Sequence, residues 1–182
     1  MSVECRWKFV ALVSMFACTA GCGDSIQAVP RATARAVELK ITDFDGIMHQ
    51  VAAHRGKVVV MDAWSTQCEP CMKEFPGLVA LQQKYPEQVA CISLSFDYEG
   101  LGKPEDSRQK VLEFLQLQHA TFDNLLCSEP SDDLYAKLKL ASVPAVFVYN
   151  QQGELAQRFD STKGKFTYKD VAAKVEKLLS EK

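Results

Sequence analysis

Seven cysteines are spread unevenly along this chain of 182 residues. Two of them, Cys68 and Cys71, enclose Glu69 and Pro70, and that spacing carries the most chemical content. An apolar run, Val58 to Met61, precedes them and reads as a strand buried on both faces. Phe75, Leu78, Val79 and Leu81 follow at helical spacing. A thiol at the junction of a strand and a helix meets free backbone N–H groups and the positive end of the helix dipole. Both favour the thiolate, which is the nucleophile in disulfide exchange. Cys68 falls at or just before the first turn and reads as the exposed nucleophile. Cys71, one turn further in, reads as the shielded resolving thiol. Pro70 has no N–H to donate, which is harmless in a first turn.

Other uses of two such cysteines are conceivable. Half of a zinc site would need a second pair of ligands. Cys91 and Cys127 are isolated, and His49, His54 and His119 form no ligand pair. A purely structural disulfide is a further alternative. A CxxC beside a strand–helix junction is a redox signature, so dithiol chemistry with no metal and no other cofactor is the expectation. Cys91 lies within an apolar stretch and reads as a small buried hydrophobe.

Asp62 stands six residues before Cys68 in the apolar strand. Alternation puts Val58, Val60, Asp62 and Trp64 on one face. A buried carboxylate is costly unless it has a task. Burial raises its pKa and suits it to take and return the Cys71 proton. The plainer alternative is a side chain hydrogen-bonded to a neighbouring loop. Glu69 reads as a solvent-facing tuner that opposes the Cys68 thiolate by like charge.

The rest of the chain must position these groups. Val37 to Ile41 alternates, and Thr42 to Gly46 is turn chemistry before Ile47 to Val51, which predicts an N-terminal β-hairpin. Gln88 to Phe96 and Ala120 to Leu126 read as further strands, with a helix over Val111 to Leu117 between them. Asp97 to Asp106 reads as a loop. Ser131, Asp132 and Asp133 begin a short helix. Ala145 to Tyr149 is an apolar strand opened by Val143-Pro144, a position that tolerates proline. Asn150 to Gly153 turns into a last strand, and Phe166 to Leu179 is an amphipathic helix. Helices between the middle strands and a closing hairpin predict an α/β fold with a mixed central sheet and helices on both faces.

The stretch Trp64 to Pro76, WSTQCEPCMKEFP, resembles the active site of the thioredoxin-like family, in particular the exported TlpA/ResA-type thiol-disulfide oxidoreductases. Trp64, Thr66, Cys68, Pro70, Cys71, Glu74 and Pro76 carry the resemblance, which extends over residues 38–180. Gln67 departs from it, because the family has a second tryptophan there. The resemblance implies a thioredoxin fold, a redox-active Cys68–Cys71 disulfide and catalysis by Cys68, Cys71 and Asp62. Thioredoxins themselves carry an aspartate at the Asp62 spacing, whereas this branch more often carries asparagine. It also implies a cis-proline at Pro144 and a substrate groove formed by Trp64, Gln67, Pro70, Val143 and Pro144. The implied partners are disulfide-containing proteins, apocytochrome c among them, and a membrane thiol reductase as electron donor.

Residues 1–21 read as a signal peptide, with Arg6 and Lys8 ahead of the apolar Phe9 to Ala17. Thr19-Ala20-Gly21-Cys22 resembles a bacterial lipobox, which would make Cys22 the lipidated first residue of the mature protein. An ordinary cleaved signal is the alternative. Residues 22–36 then form a flexible tether and 37–182 the thioredoxin-like domain. Together these segments predict export to the periplasmic side of a bacterial membrane, with a lipid anchor. No apolar run is long enough for a spanning helix. A formal charge of −2 with 24% charged residues gives no basic surface for nucleic acid. Two other function classes compete with disulfide exchange. A peroxiredoxin-like peroxidase needs a Pro and a Thr or Ser set differently about one cysteine. The other is a non-enzymatic metal-delivery or structural lipoprotein; copper chaperones of this fold use CxxxC and a distant histidine, whereas the spacing here is CxxC.

Overall fold

The computed structural model describes residues 35–181. Residues 1–21, Cys22 and most of the tether expected to follow lie outside them. Among these residues six strands form one sheet in the order β1-β4-β3-β2-β5-β6. The strands are β1 (Lys40–Thr42), β2 (Val58–Trp64), β3 (Val89–Ser95), β4 (Asp123–Cys127), β5 (Ala145–Tyr149) and β6 (Leu155–Asp160). The first four are mutually parallel, with Met61 beside Ile92 and Leu94 beside Leu125. β5 runs antiparallel to both of its neighbours, β2 and β6, with Phe147 opposite Met61 on one side and Arg158 on the other. The expected mixed sheet is therefore present, and β2, which leads into the cysteine pair, is central.

Among the described residues six α-helices cover the sheet: α1 (Phe44–Ala53), α2 (Glu69–Glu74), α3 (Pro76–Lys84), α4 (Arg108–Leu117), α5 (Ser131–Leu138) and α6 (Tyr168–Ser180). They divide the interior into two cores. On one face Val58, Val60, Trp64, Cys91 and Val146 pack with Cys71, Phe75 and Leu78, with Val111 and Leu115 of α4, and with Val171 and Val175 of α6. On the other, Val59, Met61, Ala63, Ile92, Leu94 and Phe147 pack with Ile47 and Val51 of α1 and Leu134 and Leu138 of α5. The strict alternation of β2 sorts its residues between the two.

The N-terminal hairpin is not formed. β1 pairs in parallel with β4 at the sheet edge, and the stretch read as its partner strand lies within α1. Asp43 caps that helix, its carboxylate accepting the Gly46 N–H at 2.9 Å. Ile47 and Val51 are four residues apart, so they share one helical face, and both are buried. Ile47 and Val51, four residues apart, fit a period of two as well as one of 3.6, and five residues are too few to separate the two. The cap was the better signal. A second difference lies after the cysteines, where the single expected helix is broken at Phe75 into α2 and α3. Pro76 supplies no N–H to continue the ladder of α2.

Candidate active site

β2 delivers Asp62 into the first core, and the turn Ser65 to Gln67 leads from its end to Cys68. Cys68 is the N-cap of α2 and is partly exposed, while Cys71 is buried. Their sulfurs are joined in a disulfide. The Cys71 backbone N–H donates to Cys68 Sγ at 3.2 Å. That bond is the local form of thiolate stabilisation at a helix start, because the sulfur accepts better when negatively charged.

Two cavities meet at this pair. One, of about 680 Å³, is lined by Asp62, Pro70, Cys71, Glu74, Pro144 and Tyr168 among others. The second, of about 480 Å³, is lined by Gln67, Cys68, Glu99, Asp132, Tyr135 and Val143 among others. Val143-Pro144 is a cis peptide and borders both. The stretch before β5 thus faces the cysteines from across the groove. Of the residues expected in a groove, Gln67, Pro70, Val143 and Pro144 line one or other cavity.

Trp64 does not. It is fully buried, donates from its indole N–H to Ser93 Oγ at 3.1 Å, and packs on Phe75 and Phe114 with ring centroids 5.2 and 4.7 Å away. The same alternation that puts Asp62 inside puts Trp64 inside, so the aromatic ring supports the site from within the core.

Asp62 is 3% exposed, and burial pushes its carboxyl up to about 7, with the Glu74 charge acting in the same direction. Against this, the Tyr168 hydroxyl donates to Asp62 Oδ2 at 2.6 Å and favours the ionised form. The Tyr168 backbone N–H also donates to Glu74 Oε2 at 3.3 Å. A Cβ on Gly77 would clash with the Tyr168 ring, so a glycine there lets α6 close over α3. A carboxyl that titrates near neutrality, opening on the same cavity as a buried thiol, can take up and return a proton at working pH.

Neither Tyr168 nor Asp97 was legible as a site residue. The partner of Tyr168 is 106 positions away, and a tyrosine opening an amphipathic helix carries no spacing signal. Asp97 lies just past β3, beneath the turn that precedes Cys68. Its signal was Ser95, a hydroxyl inside an apolar strand that demands a buried polar partner and donates to Asp97 Oδ2 at 2.7 Å. Cys91 and Cys127 are free, buried thiols. Burial holds both in the protonated form, Cys127 pushed up to about 11 and Cys91 further. Among the described residues no group of three or more His, Cys, Asp or Glu side chains is arranged to hold a metal ion.

Residues 56–155 match the family model described as thioredoxin-like. The chain belongs to the thioredoxin-like family. It is similar to the thioredoxin-like protein YneN of Bacillus subtilis (strain 168), with 23% identity over 142 residues, 78% of this chain and 77% of that one. It is 27% identical to the thiol-disulfide oxidoreductase ResA of Geobacillus kaustophilus (strain HTA426) over 128 residues, 70% of this chain and 68% of ResA. Among solved structures it resembles a thioredoxin-family thiol:disulfide interchange protein from Chlorobium tepidum TLS. That match has a TM-score of 0.56 and 16% identity, and covers 70% of this chain and 83% of the other. This last likeness is one of fold. Within the thioredoxin-like family, the Cys68–Cys71 pair makes the chain a thiol-disulfide oxidoreductase.

Proposed function

We propose that this oxidoreductase works outside the cytoplasm, on the periplasmic side of a bacterial membrane, where it reduces or exchanges disulfides of exported proteins. The observation that carries the mechanism is the pairing of a buried thiol, Cys71, with a buried carboxyl, Asp62, on one cavity, while the partner sulfur, Cys68, faces another. In the reduced enzyme the Cys68 thiolate attacks one sulfur of a substrate disulfide. A mixed disulfide forms and one substrate thiolate leaves. Asp62 accepts the Cys71 proton, and the Cys71 thiolate attacks Cys68 Sγ. The second substrate thiolate leaves and takes up the proton, and the enzyme retains the Cys68–Cys71 disulfide. Two electrons have passed to the substrate. A reduced dithiol protein must return them, and we assign that role to a membrane thiol reductase. Gln67, Pro70, Val143 and Pro144 border the groove in which an extended substrate segment would lie.

The location rests on the first 22 residues. Residues 1–21 have the order of an export signal and Cys22 stands where a lipid anchor is attached, leaving 22–36 as tether to the domain at 37–182. Glu69 and Asp62 both oppose a thiolate at Cys68, which favours a reductant over a strong oxidant. The substrate class is disulfide-bonded exported proteins, apocytochrome c among the candidates.

Trapping tests the assignment. Cys71→Ser accumulates substrate proteins disulfide-linked to Cys68, while Cys68→Ser does not. Adducts that form only with Cys68→Ser reverse the two roles. Equilibration with thiol buffers tests the direction. A reduction potential above about −180 mV, the region of disulfide isomerases, overturns the reductant reading. Cys22→Ser moves an anchored protein from the membrane to the soluble fraction, and a soluble parent sinks the anchor.

A further inference from the structure

The turn that carries the nucleophile is built on a carboxylate to which the exchange chemistry assigns no role. The Asp97 side chain is fully buried. A buried carboxylate is tolerated only when its oxygens are saturated with donors. Here Oδ1 accepts from the Thr66 hydroxyl, from the Thr66 N–H at 3.2 Å, from the Ser65 hydroxyl at 3.4 Å and from the Lys110 ammonium at 3.1 Å. Oδ2 accepts from the Thr66 N–H at 3.1 Å and the Ser95 hydroxyl at 2.7 Å. Ser65 and Thr66 form the segment between β2 and the cysteine pair. The chain of bonds continues towards the sulfur. The Gln67 N–H donates to Ser65 Oγ at 3.1 Å, and the Cys68 N–H donates to the Ser65 carbonyl at 3.0 Å. Cys68 is therefore fixed through Ser65, and Ser65 and Thr66 are fixed through Asp97.

We propose that Asp97 is the positioning residue for the nucleophile, holding the Ser65–Gln67 turn so that Cys68 Sγ meets the Cys71 N–H and thereby setting the reactivity of the Cys68 thiolate. The inference rests on the reading of Cys68 as nucleophile. A contact at 3.2 Å to one N–H is sensitive to displacement, since hydrogen-bond strength falls steeply with misalignment. Gln67 is exposed and gives the turn no apolar anchor, so polar bonding to Asp97 is what orients it. Lys110 balances the carboxylate's charge, so its principal effect on Cys68 is geometric.

The decisive variant is Thr66→Val in the full chain. It keeps the shape of the side chain and removes one hydroxyl, while Asp97 retains the Thr66 N–H, Ser95 and Lys110. Every charged or titratable group around the cysteines stays in place: Glu69 on α2, Glu99 after β3, Asp132 and Tyr135 on α5, and Asp62, Lys73 and Glu74 on the Cys71 side. The measurement is alkylation of Cys68 by iodoacetamide in the reduced protein across pH 5 to 10, read by peptide mass spectrometry. The expected result is a midpoint raised by about half a pH unit or more and a rate at pH 7 lowered roughly threefold. Thr66→Ser, which keeps the hydroxyl, falls closer to the parent. Asp97→Asn separates geometry from charge. Losing a negative charge alone lowers the midpoint, whereas a loosened turn raises it. A midpoint in Thr66→Val within about 0.2 unit of the parent, or a lowered one in Asp97→Asn, overturns the assignment whatever happens to the melting temperature. Alkylation needs no disulfide substrate. A shifted midpoint in a protein that exchanges no disulfides therefore sinks the proposed function and leaves this inference standing.

Discussion

The two faces of the sheet are made from the same strands and do different work. One face, under α1 and α5, is filled mainly by aliphatic side chains such as Val59, Met61, Ile92 and Leu94, together with Phe96, Phe147 and Tyr149. The other face holds Asp62, Cys71, Cys91 and the Trp64 indole, and its centre is a cluster of rings from Trp64, Phe75, Phe114 and Phe122. A single-residue step along β2 separates Met61 from Asp62. The aliphatic face stabilises without chemistry. The aromatic face must bury a carboxyl that titrates near neutrality, and its large packed rings offset that burden. Reactive groups in this fold are thus held on the face with the heavier packing.

The largest expected effect comes from giving the aliphatic face a carboxylate. Met61→Asp has no donor such as Tyr168 to meet it, and should cost about 4 kcal/mol or more. Thermal unfolding followed by circular dichroism checks this, and a melting point within a few degrees of the parent erases the distinction between the faces. Next is Phe75→Ala, which opens the ring cluster and should cost about 3–5 kcal/mol, seen as a lower urea midpoint at unchanged slope.

Asp62→Asn should act in the opposite direction. The folded protein holds the Asp62 proton up to about 7, against an ordinary 3.8. The stability linked to that proton is present below pH 4 and is lost as pH rises through 7. Removing the titration should therefore leave stability unchanged near pH 4 and raise it by roughly 2–4 kcal/mol at pH 8. Urea unfolding of the oxidised protein between pH 4 and 9 measures it. The same substitution should slow resolution of the mixed disulfide at least about tenfold near neutrality and less towards pH 9, where hydroxide takes over as the base. A flat ratio across that range makes Asp62 structural. The smallest effect belongs to Cys91→Ala. It removes a buried sulfur on the aromatic face at a cost of about 1 kcal/mol, with exchange rates unchanged because burial keeps that thiol protonated.

What could be read from the sequence followed the range of the interaction. The alternation of Val58 to Trp64 was enough to separate the two faces and to bury Asp62. Local spacing was enough to put Cys68 at the start of a helix. Misreadings came where a short signal fits two periods, as at Ile47 and Val51, or where a motif residue was read by its company, as with Trp64. Tyr168 and Asp97 escaped because each acts on a segment distant in the chain, and no local pattern encodes such a pairing. Ser95 was the nearest clue to Asp97.

Tyr168 opens the final helix, and its hydroxyl meets a carboxyl 106 residues upstream. During synthesis the cysteine pair and Asp62 leave the ribosome long before that lid exists. At the domain synthesis rate of about 5–20 residues per second, several seconds separate them. Until α6 packs against α3, Asp62 lacks the Tyr168 side chain that helps to bury it, and burial is what pushes its carboxyl up. The dithiol is thus made first and its proton acceptor is tuned last. A nascent chain halted before α6 would have its thiols in hand and no neutral-pH acid beside them, so the enzyme acquires its full chemistry only when its C-terminus docks.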